Sequence, residues 1–176
     1  MEQYLAMVER GILTSQDRVE LIEGQVVHRM TPRPAHAVCV DLLHEALARV
    51  LPPNWHVRTQ APLVLDHSVP EPDACLARGD RRAYRERHPS ASEVGLVIEV
   101  ADTSLIDDRR LKSPLYASAM IPTFWIVNLI NQTVEIYGEP RDGSYAVSLA
   151  RSATEEVPLI LDGRELAMIS VRDLLP

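Results

Sequence analysis

The chain has 176 residues, of which 46% are hydrophobic and 24% charged, and it carries a net charge of -7. This length and composition suit one globular domain spanning residues 1–176, with a core that needs no disulfide or metal staples. The acidic balance disfavours a protein that coats nucleic acid by bulk electrostatics, but it permits an enzyme whose carboxylates collect a divalent cation.

The N-terminal part of the chain predicts a short helix, a hairpin and one long helix. Hydrophobic periodicity and turn signals place these elements at Glu2–Arg10, Val19–Ile22, Gln25–Met30 and Ala35–Leu51. The hairpin turns at Glu23-Gly24. Pro52 ends the long helix, which is the clearest in the sequence.

The middle of the chain predicts several strands and a second main helix. Strand-like runs lie at His56–Gln60, Leu63–Leu65, Asp73–Leu76 and Val94–Ala101. Ser104 is expected to cap a helix from about Leu105 to Met120, and Pro114 within it should kink or split that helix.

The C-terminal part predicts further strands, at Phe124–Leu129, Val134–Tyr137, Tyr145–Leu149 and Leu159–Leu161. Ser170 is placed to cap a last helical turn. The expected fold class is therefore α/β or α+β. A mixed sheet is flanked by the two main helices, and the N-terminal hairpin and extra C-terminal strands are added to it.

Two features predict a cytoplasmic location. No apolar run approaches the roughly 20 residues that span a membrane. The start, Met1-Glu2-Gln3-Tyr4, lacks the basic and apolar regions of a signal peptide. In a reducing compartment, Cys39 and Cys75 are expected to be free, buried thiols.

Lys112 is the only lysine in a chain with 17 arginines. An ammonium is compact and can lose its proton when desolvated, whereas a guanidinium is wide and permanently charged. Lys112 is therefore either a lysine by chance, or it occupies a position, such as one in an active site, where arginine cannot replace it. Composition alone leaves both interpretations open.

Two carboxylates lie where the sequence predicts strand ends. Glu99 stands near the end of an apolar run that is typical of a strand buried on both faces, where a salt bridge to an arginine would be enough to explain it. Asp73, after Pro72, begins the preceding strand, although a turn residue is a common alternative. If these strands pair, the two acids converge and repel each other unless a proton or a hard cation such as Mg²⁺ or Mn²⁺ neutralises them.

Asp108 and Lys112 are four residues apart on the predicted second helix. As an exposed ion pair they would contribute only about 0.2–0.5 kcal/mol. Turned inward, Lys112 could instead orient or deprotonate an attacking water and offset negative charge in a phosphoryl transition state.

Other common chemistries lack their sequence signals. The histidines include no pair at the helical spacing of a zinc site, and no serine hydrolase, P-loop or dinucleotide-binding motif is present. The stretch 78–87 contains five arginines that could face phosphates, although a solvated surface is the default for such a run.

A series of short motifs covers most of the chain, from about Glu2 to Tyr137. The motifs are Val19–Val26, His36, Pro72-Asp73, Leu96–Val100, Asp108–Lys112, Tyr116-Ala117 and Phe124–Val127. In this order they resemble the Uma-type restriction endonuclease family of the PD-(D/E)XK nuclease superfamily. The departures from the family pattern, at Pro114, 120–125 and Asn128, lie outside the motif acids.

The resemblance implies a restriction-endonuclease-like core of helix, three strands, helix and strand, with a metal site at the acidic strands. It implies that Asp73 and Glu99 are catalytic acids that bind Mg²⁺, or Mn²⁺ in its place. Ala101 stands where the superfamily has its lysine, and Lys112 on the next helix is expected to take that role. Supporting roles are expected for three further residues, namely Glu23, His36 and Asp108.

Two functional hypotheses follow. The first is a Mg²⁺-dependent endonuclease that hydrolyses nucleic acid, DNA foremost, leaving 5′-phosphate and 3′-hydroxyl ends, with the backbone carbonyl of Val100 as a further metal ligand. The second is a catalytically silent nuclease fold that serves as a binding or assembly module, motivated by the acidic net charge. A homodimer is expected in either case, because a small nuclease often needs two subunits to grip a duplex.

Overall fold

The structure, a computed structural model, describes all residues from Met1 to Pro176. Its N-terminal part contains four elements, which are helix α1 (Glu2–Glu9), strands β1 (Val19–Ile22) and β2 (Gln25–His28), and helix α2 (Pro34–Val50). The two strands form a separate antiparallel hairpin, as predicted, although β2 ends two residues earlier than expected. A bridge between Leu21 and Val69 connects β1 to the rest of the molecule.

Helix α2 is the long helix that the sequence predicts. It begins at Pro34, a position in the first turn where the missing N–H costs nothing. Leu43 and Leu47 are fully buried on its inner stripe. The helix ends at Val50, because the following proline keeps Leu51 extended at φ -73° and ψ 137°.

A six-stranded mixed sheet forms the centre of the molecule. Its strands are β3 (Trp55–Thr59), β4 (Ala74–Arg78), β5 (Val94–Ala101), β6 (Thr123–Asn128), β7 (Thr133–Arg141) and β8 (Ser144–Ser152), and they lie side by side in this order. Neighbours are antiparallel except for β5 and β6, which are parallel. The parallel pair requires a crossover, and the second main helix provides it.

The crossover helix is divided near Pro114, where the sequence predicts a kink or a split, and the division is a π-helical turn. The helix consists of α3 (Leu105–Asp107), the π-helical turn Asp108–Lys112 and α4 (Ser113–Ser118). Pro114 has no N–H to donate, and its ring would clash with the carbonyl of residue 110 in a regular helix. Widening the preceding turn accommodates the ring.

Helical and hairpin layers cover the two faces of the sheet. On one face, α2 and a C-terminal hairpin of β9 (Glu156–Leu161) and β10 (Arg164–Ser170) enclose a core that includes Ile98 and Trp125. On the other face, α4 packs Tyr116 against Phe124. The expected mixed α and β fold, with a sheet flanked by helices, is therefore confirmed. No helix is long and apolar enough to cross a membrane.

Two local predictions were wrong, and one strand was missed. Leu63–Leu65 is not a strand and contributes only an isolated bridge from Val64 to Ser90. Ser104 does not cap the backbone of α3. Strand β10 was not predicted, although the Asp162-Gly163 step before it, with φ of 54° and 71°, is a hairpin signal.

Candidate active site

Asp73 and Glu99 meet because β4 and β5 are antiparallel neighbours. Ala74 pairs with Ile98, so the residue that enters β4 lies beside the residue near the end of β5. Both side chains are almost completely buried, at 7% and 6% exposure. The backbone N–H of Asp73 donates to Glu99 Oε2 at 3.4 Å, which ties the two residues together.

The carboxylate of Asp73 is held by the backbone and by α2. Its Oδ2 accepts a hydrogen bond from the backbone N–H of Val100 at 2.8 Å and lies 3.0 Å from His36 Nε2. Burial disfavours the charged imidazole, but the hydrogen bond and charge of Asp73 outweigh it and raise the pKa of His36. The predicted supporting residue His36 therefore does reach the acid pair.

Glu99 is held from the other side by Tyr116. The phenol is fully buried and donates to Glu99 Oε1 at 2.7 Å. Burial raises the pKa of Glu99, and the nearby Asp73 adds to this effect, whereas Lys112 opposes it. An ionised Glu99 is thus favoured by any further positive charge in its surroundings.

Lys112 points inward and reaches the same cluster. Its Nζ lies 2.8 Å from Glu20 Oε2 and 3.6 Å from Glu99 Oε1, and the side chain is 14% exposed. Burial alone would favour the neutral amine, but Glu99 and Glu20 outweigh it and raise the pKa of Lys112. The ammonium form is therefore favoured, which suits a role as hydrogen-bond donor and positive charge better than one as a proton acceptor.

Glu20 takes the place near the cluster that the sequence analysis expected for Glu23. Glu20 is 7% exposed, pairs with Lys112, and accepts a bond from the backbone N–H of Glu71 at 3.0 Å. Glu23 is exposed in the hairpin turn, at φ 49°, and does not line the cleft. The sequence did not indicate that Glu20 is buried, because β1 has only four residues, too few to show which positions face the core.

Asp108 is close to the site but does not pair with Lys112. It is 5% exposed, and its Oδ2 accepts a hydrogen bond from Ser104 Oγ at 2.6 Å. Burial raises the pKa of Asp108 to about 6. An exposed ion pair four residues apart therefore does not explain either Asp108 or Lys112.

One polar cleft of about 300 Å³ brings together the site residues described above, except Tyr116 and Glu23, and also includes Val100. Those that line it are Glu20, His36, Asp73, Glu99, Asp108 and Lys112. Its walls carry seven carboxyl groups against four basic side chains, three arginines and one lysine, an excess of three negative charges when all are ionised. Glu99, Asp73 and Lys112 thus converge as the sequence analysis required. The excess means that a phosphate would be repelled from the cleft unless cations or protons offset it.

The arginines of the stretch 78–87 lie elsewhere. None of them lines the cleft. Arg78 pairs with Asp162, Arg85 with Glu86, and Arg87 with Glu93. The default interpretation of this run as a surface segment agrees with these pairs better than a phosphate-facing strip does.

The acid pair fits a hard divalent cation. Mg²⁺ is commonly held by one or two carboxylates together with waters and substrate phosphates, so Asp73 and Glu99 would be sufficient protein ligands. The negative excess of the cleft favours a cation there, and such a cation would oppose the effect of burial on the pKa of Glu99 and favour its ionised form. No group of three or more His, Cys, Asp or Glu side chains forms a preassembled metal site.

A mixed sheet places two acids side by side, and a crossover helix adds a mostly buried lysine, which is the arrangement that the nuclease resemblance of the motifs implies. Residues 1–169 match the model of the Uma2 family, which is described as "Putative restriction endonuclease". The chain therefore belongs to this family, as the resemblance of its motifs predicted.

A solved structure has a similar fold. It is described as a putative nuclease belonging to DUF820 from Anabaena variabilis ATCC 29413, and it aligns with a TM-score of 0.68 and 16% identity over 94% of each chain. At this identity the similarity establishes the fold. None of the curated proteins compared with the sequence matches it.

Proposed function

We propose that the protein is a metal-dependent endonuclease that hydrolyses phosphodiester bonds of DNA in the cleft. The observation that carries the proposal is the convergence of two buried acids, Asp73 and Glu99, with the buried amine of Lys112. Asp73 and Glu99 would hold Mg²⁺, or Mn²⁺ in its place, and the carbonyl of Val100 would be a further ligand. Such a cation polarises a bound phosphate and lowers the pKa of water.

The protein side chains would orient the reactants and balance their charge. The ammonium of Lys112 would donate a hydrogen bond to the attacking water or to a phosphate oxygen, and its charge would stabilise the transition state. Tyr116 and the N–H of Val100 would keep the carboxylates of Glu99 and Asp73 in place. In-line attack by water would leave 5′-phosphate and 3′-hydroxyl ends.

Cleavage of supercoiled plasmid DNA tests the proposal. The wild-type protein should nick or linearise the plasmid in Mg²⁺ and lose this activity in EDTA. Glu99→Gln and Lys112→Met should each abolish cleavage, because one removes a ligand charge and the other removes the ammonium. Asp66→Asn is a matched control, since Asp66 is exposed and lies outside the cleft.

Calorimetric titration with Mg²⁺ and Mn²⁺ tests the metal site separately from activity. Asp73→Asn should weaken binding strongly, whereas Asp66→Asn should not. A wild-type protein that binds neither cation and leaves DNA intact would support the alternative, a silent nuclease fold that serves as a binding or assembly module. Full cleavage by both Glu99→Gln and Lys112→Met would refute the assigned roles.

The proposal includes a single domain over 1–176, a cytoplasmic location and a homodimer. Both cysteines are buried free thiols, which suits a reducing compartment. Strand β8 has nine residues and lies at the edge of the sheet, where a second copy could pair with it about a two-fold axis. Light scattering during size exclusion should give twice the chain mass, and a monomer would contradict the dimer.

A further inference from the structure

We propose that Arg18 and Arg33 form a binding site for the backbone phosphates of the nucleic acid strand that enters the cleft. This inference rests on the proposed function and adds to it the residues that would hold the substrate. Phosphate contacts supply most of the affinity of nucleic-acid-binding proteins, and arginine is well suited to them. Few positive charges in this cleft are available for that purpose.

Two of the four basic side chains of the cleft, Lys112 and Arg29, are already tightly paired with carboxylates. Lys112 is paired with Glu20 and Glu99. Arg29 Nη1 lies 2.6 Å from Glu71 Oε1. A phosphate that bound either group would have to displace a carboxylate that is already in place.

Arg18 is held in position without losing its charge. Its guanidinium donates to Thr31 Oγ1 at 2.9 Å and to the carbonyl of Met30 at 2.8 Å, and both acceptors are uncharged. Arg18 forms none of the salt bridges of the molecule, which means that no carboxylate oxygen lies within 4.0 Å of its guanidinium nitrogens. Its remaining N–H groups are therefore free to donate to an anion from a fixed position.

Arg33 adds a second positive charge close to the first. It immediately precedes α2 and its side chain is 66% exposed, so its salt bridge to Asp102, at 3.6 Å, is largely open to solvent and weak. Arg18 precedes β1, but its guanidinium is anchored to residues 30 and 31 in the loop from β2 to α2, the loop that ends at Arg33. The positive charge that remains available lies on this N-terminal wall.

The segment after β5 gives the cleft an opposite sign. It contributes three acids to the lining, which are Asp102, Asp107 and Asp108. A phosphodiester backbone would be repelled there and attracted by the N-terminal wall. The strand to be cut would therefore run along the loop between β2 and α2, which carries Arg33 and to which Arg18 is hydrogen-bonded, on its way to the acid pair.

The salt dependence of DNA binding measures these contacts. Anisotropy of a fluorescein-labelled DNA duplex and of its single strand would be followed in Ca²⁺, with the DNA checked for integrity. For each lost contact, the slope of log K against log salt should become less steep by about 0.9 for the duplex and about 0.7 for the single strand. Arg18→Gln and Arg33→Gln should each show this loss, and the double variant should show both.

Two further variants separate charge from structure. Arg18→Lys retains the charge and should keep most of the slope. Arg164→Gln removes an exposed arginine of β10 that does not line the cleft, and it should bind as the wild type does. If Arg18→Gln unfolds, Arg33→Gln still tests the phosphate site, because the side chain of Arg33 is mostly exposed and its replacement should leave the fold intact.

The outcomes distinguish this inference from the proposed function. An unchanged slope in the double variant, in a preparation whose wild type cleaves DNA in Mg²⁺, overturns the phosphate site alone. A reduced slope with no cleavage by the wild type supports the phosphate site and overturns the nuclease assignment. A wild-type protein that binds neither probe overturns both.

Discussion

Replacing Lys112 by methionine tests whether the lysine balances the buried acids around it. Methionine keeps a flexible side chain of similar length and removes the charge. Glu20 would lose a partner 2.8 Å away, and Glu99 would lose one 3.6 Å away. The expected result is a folded protein that is markedly less stable than the wild type in the absence of metal.

The size of the effect follows from burial. Lys112 is 14% exposed and Glu20 is 8% exposed, so neither charge is well solvated when the other is removed. Breaking such a buried pair costs about 3–5 kcal/mol. Because small domains have about 5–15 kcal/mol of stability in total, the loss is measurable without complete unfolding.

Urea denaturation in EDTA provides the measurement, with the fluorescence of the buried Trp55 and Trp125 as the signal. A double-mutant cycle then isolates the pair. Glu20→Gln in the Lys112→Met background removes the stranded carboxylate and should recover about 1–3 kcal/mol. A variant with unchanged slope m and a lower midpoint would show that stability, and not compactness, has changed.

A small loss of stability would show that Lys112 does not balance the buried acids. If Lys112→Met lowered the free energy of unfolding by less than about 1 kcal/mol, the pair would behave like a surface salt bridge. If the cycle gave no coupling between positions 20 and 112, the contact would not stabilise the protein. Ile106→Met, on an exposed residue of α3, controls for the introduction of methionine.

Three further outcomes are expected. Tyr116→Phe removes the hydrogen bond to Glu99 and should slow plasmid cleavage while costing about 1 kcal/mol of stability in urea; unchanged cleavage would contradict the positioning role. Asp108→Asn should stabilise the protein by about 3 kcal/mol at pH 7 and by less than about 1 kcal/mol at pH 4. The folded pKa of Asp108, about 6, lies above the ordinary value, so the wild-type protein loses stability as pH rises from that value towards 6, whereas the Asn variant does not. Equal gains in thermal melts at both pH values would contradict this. Gly95→Ala should cost about 1–3 kcal/mol in urea, because the new methyl would lie 2.8 Å from Trp55; wild-type stability would contradict the close packing.

The sequence predicted the elements whose own residues show a hydrophobic periodicity or whose ends are marked by proline, glycine or other turn-forming residues. Helix α2 agrees within a residue or so at each end, and β5 agrees at both ends, because an apolar stripe and an apolar run are local patterns. The positions of Asp73 and Glu99 followed from the pairing of their strands. These features depend on residues close together in the chain or on adjacent strands.

The parts that sequence analysis missed depend on distant contacts. Glu20 was not distinguished from Glu23, because burial of Glu20 requires Lys112, which is 92 residues away. Pro114 predicted that the helix would be kinked or split, but the local sequence does not specify that the division is a widened, π-helical turn before the proline. Arg18 donates to two uncharged acceptors in a loop, so no carboxylate offsets its charge. Contacts between loop residues follow no periodic pattern, and the sequence therefore does not predict them.

The ion pair between Glu20 and Lys112 also has a consequence for folding. It joins the N-terminal hairpin to the crossover helix across a long stretch of chain, and contacts of high sequence separation close large loops at an entropic cost. Pairing of β4 with β5, which brings the two acids together, closes a much shorter loop than the one between Glu20 and Lys112. We therefore expect the charge arrangement of the cleft to be complete only after the N-terminal hairpin has docked on the crossover helix.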